Sequence, residues 1–119
     1  MGDLKVRTKA MAVCVFRFAQ ELPRDYATVV IGKQLVRSAT SVAANYRSAR
    51  RARSKKDFIN KLGIVEEEAD ETLFWLEMLE ELHLGKDTIL KALLKEVNEL
   101  VAIFVSSRIT AKGNQVART

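Results

Sequence analysis

Between Asn45 and Phe58 the chain reads "NYRSARRARSKKDF", in which Arg47, Arg50, Arg51, Arg53, Lys55 and Lys56 face a single opposing carboxylate, Asp57. Guanidinium groups donate paired hydrogen bonds in a planar fork that matches two phosphate oxygens, and ammonium groups add point charges, so such a run suits a polyanion. Lys33 and Arg37 extend it upstream. If the segment before Ala52 is helical, about 100° of rotation per residue sets Lys33, Arg37, Arg47 and Arg51 along one side, with Arg50 beyond them. That side faces away from a Leu35, Ala39, Val42 stripe. Gln34, Arg37, Ser41, Asn45 and Ser48 occupy adjacent angles, with groups able to hydrogen-bond a base, a phosphate or another helix. The candidate nucleic-acid-binding residues are therefore Lys33, Arg37, Asn45, Arg47, Arg50, Arg51, Arg53, Lys55 and Lys56. Tyr46 is the only aromatic near the stripe, too little for a single-strand stacking platform. Two plainer roles stay open: a solvated helix surface for the charges, and tight helix packing for the small and polar residues, with Asn45 tying down a loop.

A second constellation is acidic. Glu67, Glu68 and Glu71 spell E-E-x-x-E, and Glu96 with Glu99 spells E-x-x-E. Carboxylates one helical turn apart can hold Mg²⁺ against substrate phosphates. The pattern resembles that of all-α nucleoside-triphosphate pyrophosphohydrolases, although that family favours Asp where this chain has Glu99. Glu80 and His83 make one E-x-x-H, but a di-iron bundle needs two such pairs and His83 is the only histidine. A Ser-His-Asp triad would have to recruit that same histidine, and Cys14 sits in an apolar stripe with no local base. Gly32, Gly63 and Gly85 are isolated, so no glycine-rich phosphate loop is present. The expected class is thus non-catalytic, without cofactor or metal, with the Mg²⁺-dependent pyrophosphohydrolase and a protein-binding adaptor as alternatives.

The elements that must position these groups are helices. Asp3 to about Glu21 carries Met11, Cys14, Val15, Phe18 and Leu22 at helical spacing and stops at Pro23. A second helix over about Thr28 to Ala52 buries Leu35, Ala39, Val42, Tyr46 and Ala49. Ser54 followed by Asp57 is a capping-box arrangement that starts a third. Phe58, Leu62, Val65, Ala69, Thr72, Leu76 and Leu79 then form a heptad seam maintained to His83. Leu84, Gly85 and Lys86 read as a stop and turn. The fourth helix, about Asp87 to Thr110, presents Leu90, Leu93, Val97, Leu100 and Phe104, with Leu94, Val101 and Val105 as a second stripe. Leu73, Phe74, Trp75 and Met78 add apolar surface beyond what a monomeric bundle needs, which points to a subunit interface, with a fatter bundle core that absorbs it as the alternative. No strand-like alternation occurs, so the fold class is all-α.

At 119 residues, with 48% hydrophobic and 29% charged residues, the chain fits one folded domain, expected over residues 1–112 with a flexible tail at 113–119. The net charge of +5 conceals a polarity along the sequence: +10 from Met1 to Lys61, −8 from Leu62 to Glu99, +3 thereafter. Such an arrangement favours a polyanion partner for the first part or charge pairing between subunits. A lone cysteine precludes an intrachain disulfide, no secretory signal is read at the start, and no run approaches the roughly 18 apolar residues of a membrane span. A cytoplasmic location is expected, with no membrane partner.

Taken together, "FAQELPRDY" and "GKQLVRSATSVAANYRSARRARSKKDFINKLGIVEEEADETLFWLEML" resemble the ribosomal-RNA intervening-sequence proteins, whose relatives include the accessory variability determinant of diversity-generating retroelements. The likeness runs from about Val15 to Ser107. It is carried by Leu22-Pro23, by Gln34, Leu35, Arg37, Ser38, Ala39, Ser41, Val42 and Asn45, and by Ser54, Asp57 and Phe58 leading into Glu71 and Trp75. The resemblance implies an up-down-up-down antiparallel four-helix bundle, a ring-like homopentamer, no established enzymatic activity, and RNA or DNA as partner. It also implies a reverse transcriptase as a further partner, by analogy with the retroelement relatives. By position, Arg37 and the basic residues from Arg47 to Lys56 become the binding surface. This chain departs from the commoner form in having "YRSARRARS" where an acidic residue and a glycine follow the Asn.

Overall fold

The computed structural model describes residues 3–117 and contains four α-helices: α1 (Leu4–Gln20), α2 (Tyr26–Arg50), α3 (Lys55–Glu81) and α4 (Asp87–Ala117). Short connections force each helix to run back along its predecessor, and α1 packs on α4 to close an up-down-up-down four-helix bundle. The result is a rod of 53 × 22 × 21 Å.

Each of the first three helix starts is set by a side chain that takes an unsatisfied backbone amide. The Asp3 carboxylate accepts from the Lys5 N–H at 2.9 Å. The Asp25 carboxylate accepts from both the N–H and the hydroxyl of Thr28, at 3.1 and 3.0 Å. Those bonds hold Asp25 below the usual carboxylate range. They also place the start of α2 at Tyr26, one half-turn before the Thr28 expected from hydrophobic spacing. Ser54 Oγ accepts from the Asp57 N–H at 3.0 Å, which is the hydroxyl half of the expected capping box, while the Asp57 carboxylate reaches one residue past the cap to the Arg53 N–H at 3.4 Å.

The expected seams make the core. Val15, Leu35, Val42, Leu62, Val65, Leu76, Leu79, Val97, Leu100 and Phe104 are fully buried, each contributing about 1.5–3 kcal/mol of apolar burial. Two buried hydroxyls join α2 to α3: Thr72 Oγ1 lies 2.9 Å from Ser38 Oγ, while Ser38 donates to the Leu35 carbonyl. Small side chains at Ser38 and Ala39 permit that close approach. One apolar assignment fails. Cys14 is exposed at the α1–α4 seam, and the fully buried Thr8 and the nearly buried Ala12 sit inward with Met11 and Val15 instead. Thr8 tolerates burial because its hydroxyl donates to the Leu4 carbonyl at 2.7 Å.

At the other end, α3 stops at Glu81 rather than His83, because Leu82 caps it and His83 takes a left-handed φ of 56°. Gly85 follows at φ 89°, where a Cβ would lie 2.4 Å from the Phe18 ring, so the turn needs both its backbone freedom and its missing side chain. Helix α4 continues past the expected end at Thr110 to Ala117, with Ala111 buried, so most of the tail expected at 113–119 has helical backbone. Residues 118 and 119 of that tail lie outside the described residues.

Candidate nucleic-acid interface

The basic run is laid over one end of the rod. Arg47 and Arg50 occupy the last turn of α2, Arg51 is its C-cap, and Arg53, Lys55 and Lys56 straddle the start of α3. All six are exposed. Among the described residues none of the six pairs with a carboxylate, because the one acid nearby is already engaged. Asp57 holds Lys61 at 3.3 Å as well as the Arg53 amide. The first amides of α3 add a positive dipole end beside these cations.

Three other expected members are disposed differently. Arg37 reaches across to α3, where its guanidinium bonds Glu68 at 3.1 Å and Glu71, with Gln34 accepting from Nε at 3.1 Å. Glu71 also accepts from the Trp75 indole N–H at 3.2 Å, which completes a network on the α2–α3 surface. Asn45 turns back on its own helix, donating to the Ser41 carbonyl and hydroxyl at 2.8 Å each, and ties down no loop. Lys33 is exposed but stands fourteen residues before Arg47 on α2, about 21 Å away at 1.5 Å per residue. The stripe read from helical angles is therefore broken: a cluster at the α2–α3 turn, a neutralised arginine midway, and a lysine apart.

The bundle brings in cations that the local pattern did not reveal. Lys5 and Lys9 of α1 line the same groove as Arg47, because α1 packs along α2. On α4, Arg108 bonds Glu66 of α3, with a second contact at 3.3 Å, which carries the exposed Lys112 to this end. Hydrogen bonding to Glu66 pushes the Arg108 guanidinium further above its already high range. Net charge by segment was the only available hint of these contributions.

The carboxylates of the rival reading are drawn apart. Glu68 and Glu71 point to Arg37 on α2, whereas Glu96 and Glu99 hold Arg7 of α1 at 2.7 and 2.9 Å. Bonding to Arg7 lowers the Glu96 carboxyl against the opposing effect of burial, and raises Arg7 in return. Four of the acids that would share one Mg²⁺ are thus divided between two arginines on different helices, in four ion pairs. No group of three or more His, Cys, Asp or Glu able to hold a metal occurs among the described residues. Glu80 and His83 do not share a helix face either, since His83 lies beyond the end of α3. Among the described residues no helix is long and apolar enough to cross a membrane.

Fold and surface together define a small all-helical bundle with a concentrated basic end. Over residues 2–106 the chain matches the family model described as the 23S rRNA-intervening sequence protein, and it belongs to that family. Among solved structures it is similar to a protein of unknown function from the S23 ribosomal protein family of Bacteroides thetaiotaomicron. The two share 31% identity over 89% of this chain and 98% of that one, with a TM-score of 0.77. No curated protein matches.

Proposed function

We propose that the protein is a non-catalytic, self-assembling module that binds RNA or DNA through phosphate contacts at the α2–α3 turn. The observation that carries this reading is the set of six exposed cations at one turn, Arg47, Arg50, Arg51, Arg53, Lys55 and Lys56, none of them neutralised by a carboxylate among the described residues. Charges without an internal partner keep their full attraction for an external one, whereas Arg37 has spent its hydrogen bonds on Glu68 and Glu71. Assembly into the homopentamer implied by the family would place five copies of the turn in one field. A weak contact per protomer then becomes a strong one through effective concentration.

Phosphate recognition releases counterions, so affinity must fall with salt. Fluorescence anisotropy with labelled mixed-sequence RNA and DNA oligonucleotides, from about 50 to 300 mM KCl, tests this. Engagement of about five phosphates gives a log–log slope near −4.5 on duplex and near −3.5 on single strands. Tight binding with a slope near zero, or no binding at low salt, overturns the proposal.

A further inference from the structure

Two surfaces of the rod remain partly apolar and carry opposite charge. One is the groove between α1 and α2. Along it lie two hollows, of about 600 and 560 Å³, with Phe16 in the lining of both. Val6, Val13 and Phe16 stand along it, with Phe16 49% exposed, and its rim is basic through Lys5, Lys9 and Lys33. The other surface is the outer ridge of α3. Phe74, also 49% exposed, projects there between Glu67 and Glu77, with Asp70 beside them. Phe74 packs edge-on against Trp75, its ring centroid 4.9 Å away, which steadies the projecting ring. Neither Glu67 nor Glu77 joins any ion pair among the described residues, unlike Glu66, Glu68 and Glu71 around them.

We infer that the α3 ridge of one protomer docks into the α1–α2 groove of a second copy, head to tail. This rests on the self-assembly part of the function proposed above and assigns its contact surface. Three features select a second copy as occupant. The apolar elements correspond, with Phe74 entering the groove beside Phe16. The charges are complementary, acidic on the ridge and basic on the rim. The spacing also agrees: Lys9 precedes Phe16 by seven residues and Glu67 precedes Phe74 by seven, about 10.5 Å in each helix. With α3 laid parallel to α1, Glu67 comes over Lys9 while Glu77 points towards Lys33. The two surfaces are different patches of one chain, so the contact is heterologous and propagates until a ring closes.

Light-scattering mass on purified full-length protein reads the outcome, with circular dichroism confirming that each variant stays helical. The groove pair Lys9→Glu/Lys33→Glu and the ridge pair Glu67→Lys/Glu77→Lys should each weaken self-association roughly a hundredfold or more, leaving monomer. All four changes in one chain reinstate opposite charges and should regain the wild-type mass. Helical monomer in both pairs with no recovery in the combination overturns the pairing. Wild-type mass in either pair overturns this interface while leaving self-assembly intact, and a wild-type protein that stays monomeric at every concentration overturns self-assembly itself.

Discussion

Two arginine environments on α2 differ in what neighbours them, and the contrast separates structural from available charge. Arg37, in the middle of the helix, meets α3 where its acidic block begins, and Glu68 and Glu71 close on its guanidinium. Arg50 and Arg51, at the end of the same helix, meet the beginning of α3, where the chain supplies Lys55 and Lys56 and commits Asp57 to Lys61. Antiparallel packing decides which residues of α3 lie opposite each point of α2. The same residue type is therefore a strut in one place and a free cation in the other.

The largest effect expected from breaking this contrast is on binding. Arg50→Glu/Arg51→Glu/Arg53→Glu should lower oligonucleotide affinity at 100 mM KCl by more than about a hundredfold, with the thermal midpoint nearly unchanged, because surface substitutions away from packed features cost little. Arg37→Ala should do the reverse. A paired but partly exposed guanidinium contributes about 0.5–1 kcal/mol, so urea unfolding should report a loss of that order while oligonucleotide affinity moves less than about threefold. Equal losses of affinity from Arg37→Ala and the triple variant would erase the distinction.

Freeing Arg37 sharpens the comparison further. Glu68→Gln/Glu71→Gln leaves the guanidinium without its counter-charges, and a salt titration should then show the log–log slope steepened by about one phosphate equivalent. The smallest effect is on pH. Bonding to Arg7 lowers Glu96 in the folded state relative to the unfolded chain. Its contribution is therefore complete above the ordinary carboxylate range and is lost as pH falls through the depressed folded value. Because the pair is partly exposed, urea midpoints measured from pH 6 down to pH 3 should show Glu96→Gln removing less than about 1 kcal/mol of the acid-dependent loss.

Much of the fold was legible because its signals are local. The core seams of α2, α3 and α4 follow helical spacing, and Ser54 with Asp57 announces the start of α3 through the chemistry of unsatisfied amides. Cys14 misled because an apolar neighbourhood in sequence does not say which side of a helix faces the core, and the small buried hydroxyl of Thr8 carries no hydrophobic signal. The end of α4 was missed because the polar run from Lys112 onward reads as a flexible tail, while the buried Ala111 keeps the helix packed up to that point. At the candidate site, the cluster from Arg47 to Lys56 could be read from composition alone. The capture of Arg37 by residues 31 and 34 positions away could not.

The sequence by itself determined four amphipathic helices, their caps and the uneven placement of charge, since each depends on residues within a turn or two of one another. Tertiary structure alone decided which charges remain available. Helices separated by a turn or more in the chain meet along their whole length, and an arginine is neutralised only when a carboxylate arrives within hydrogen-bonding distance. That pairing consumed Arg7, Arg37 and Arg108 and, among the described residues, left the α2–α3 turn uncompensated.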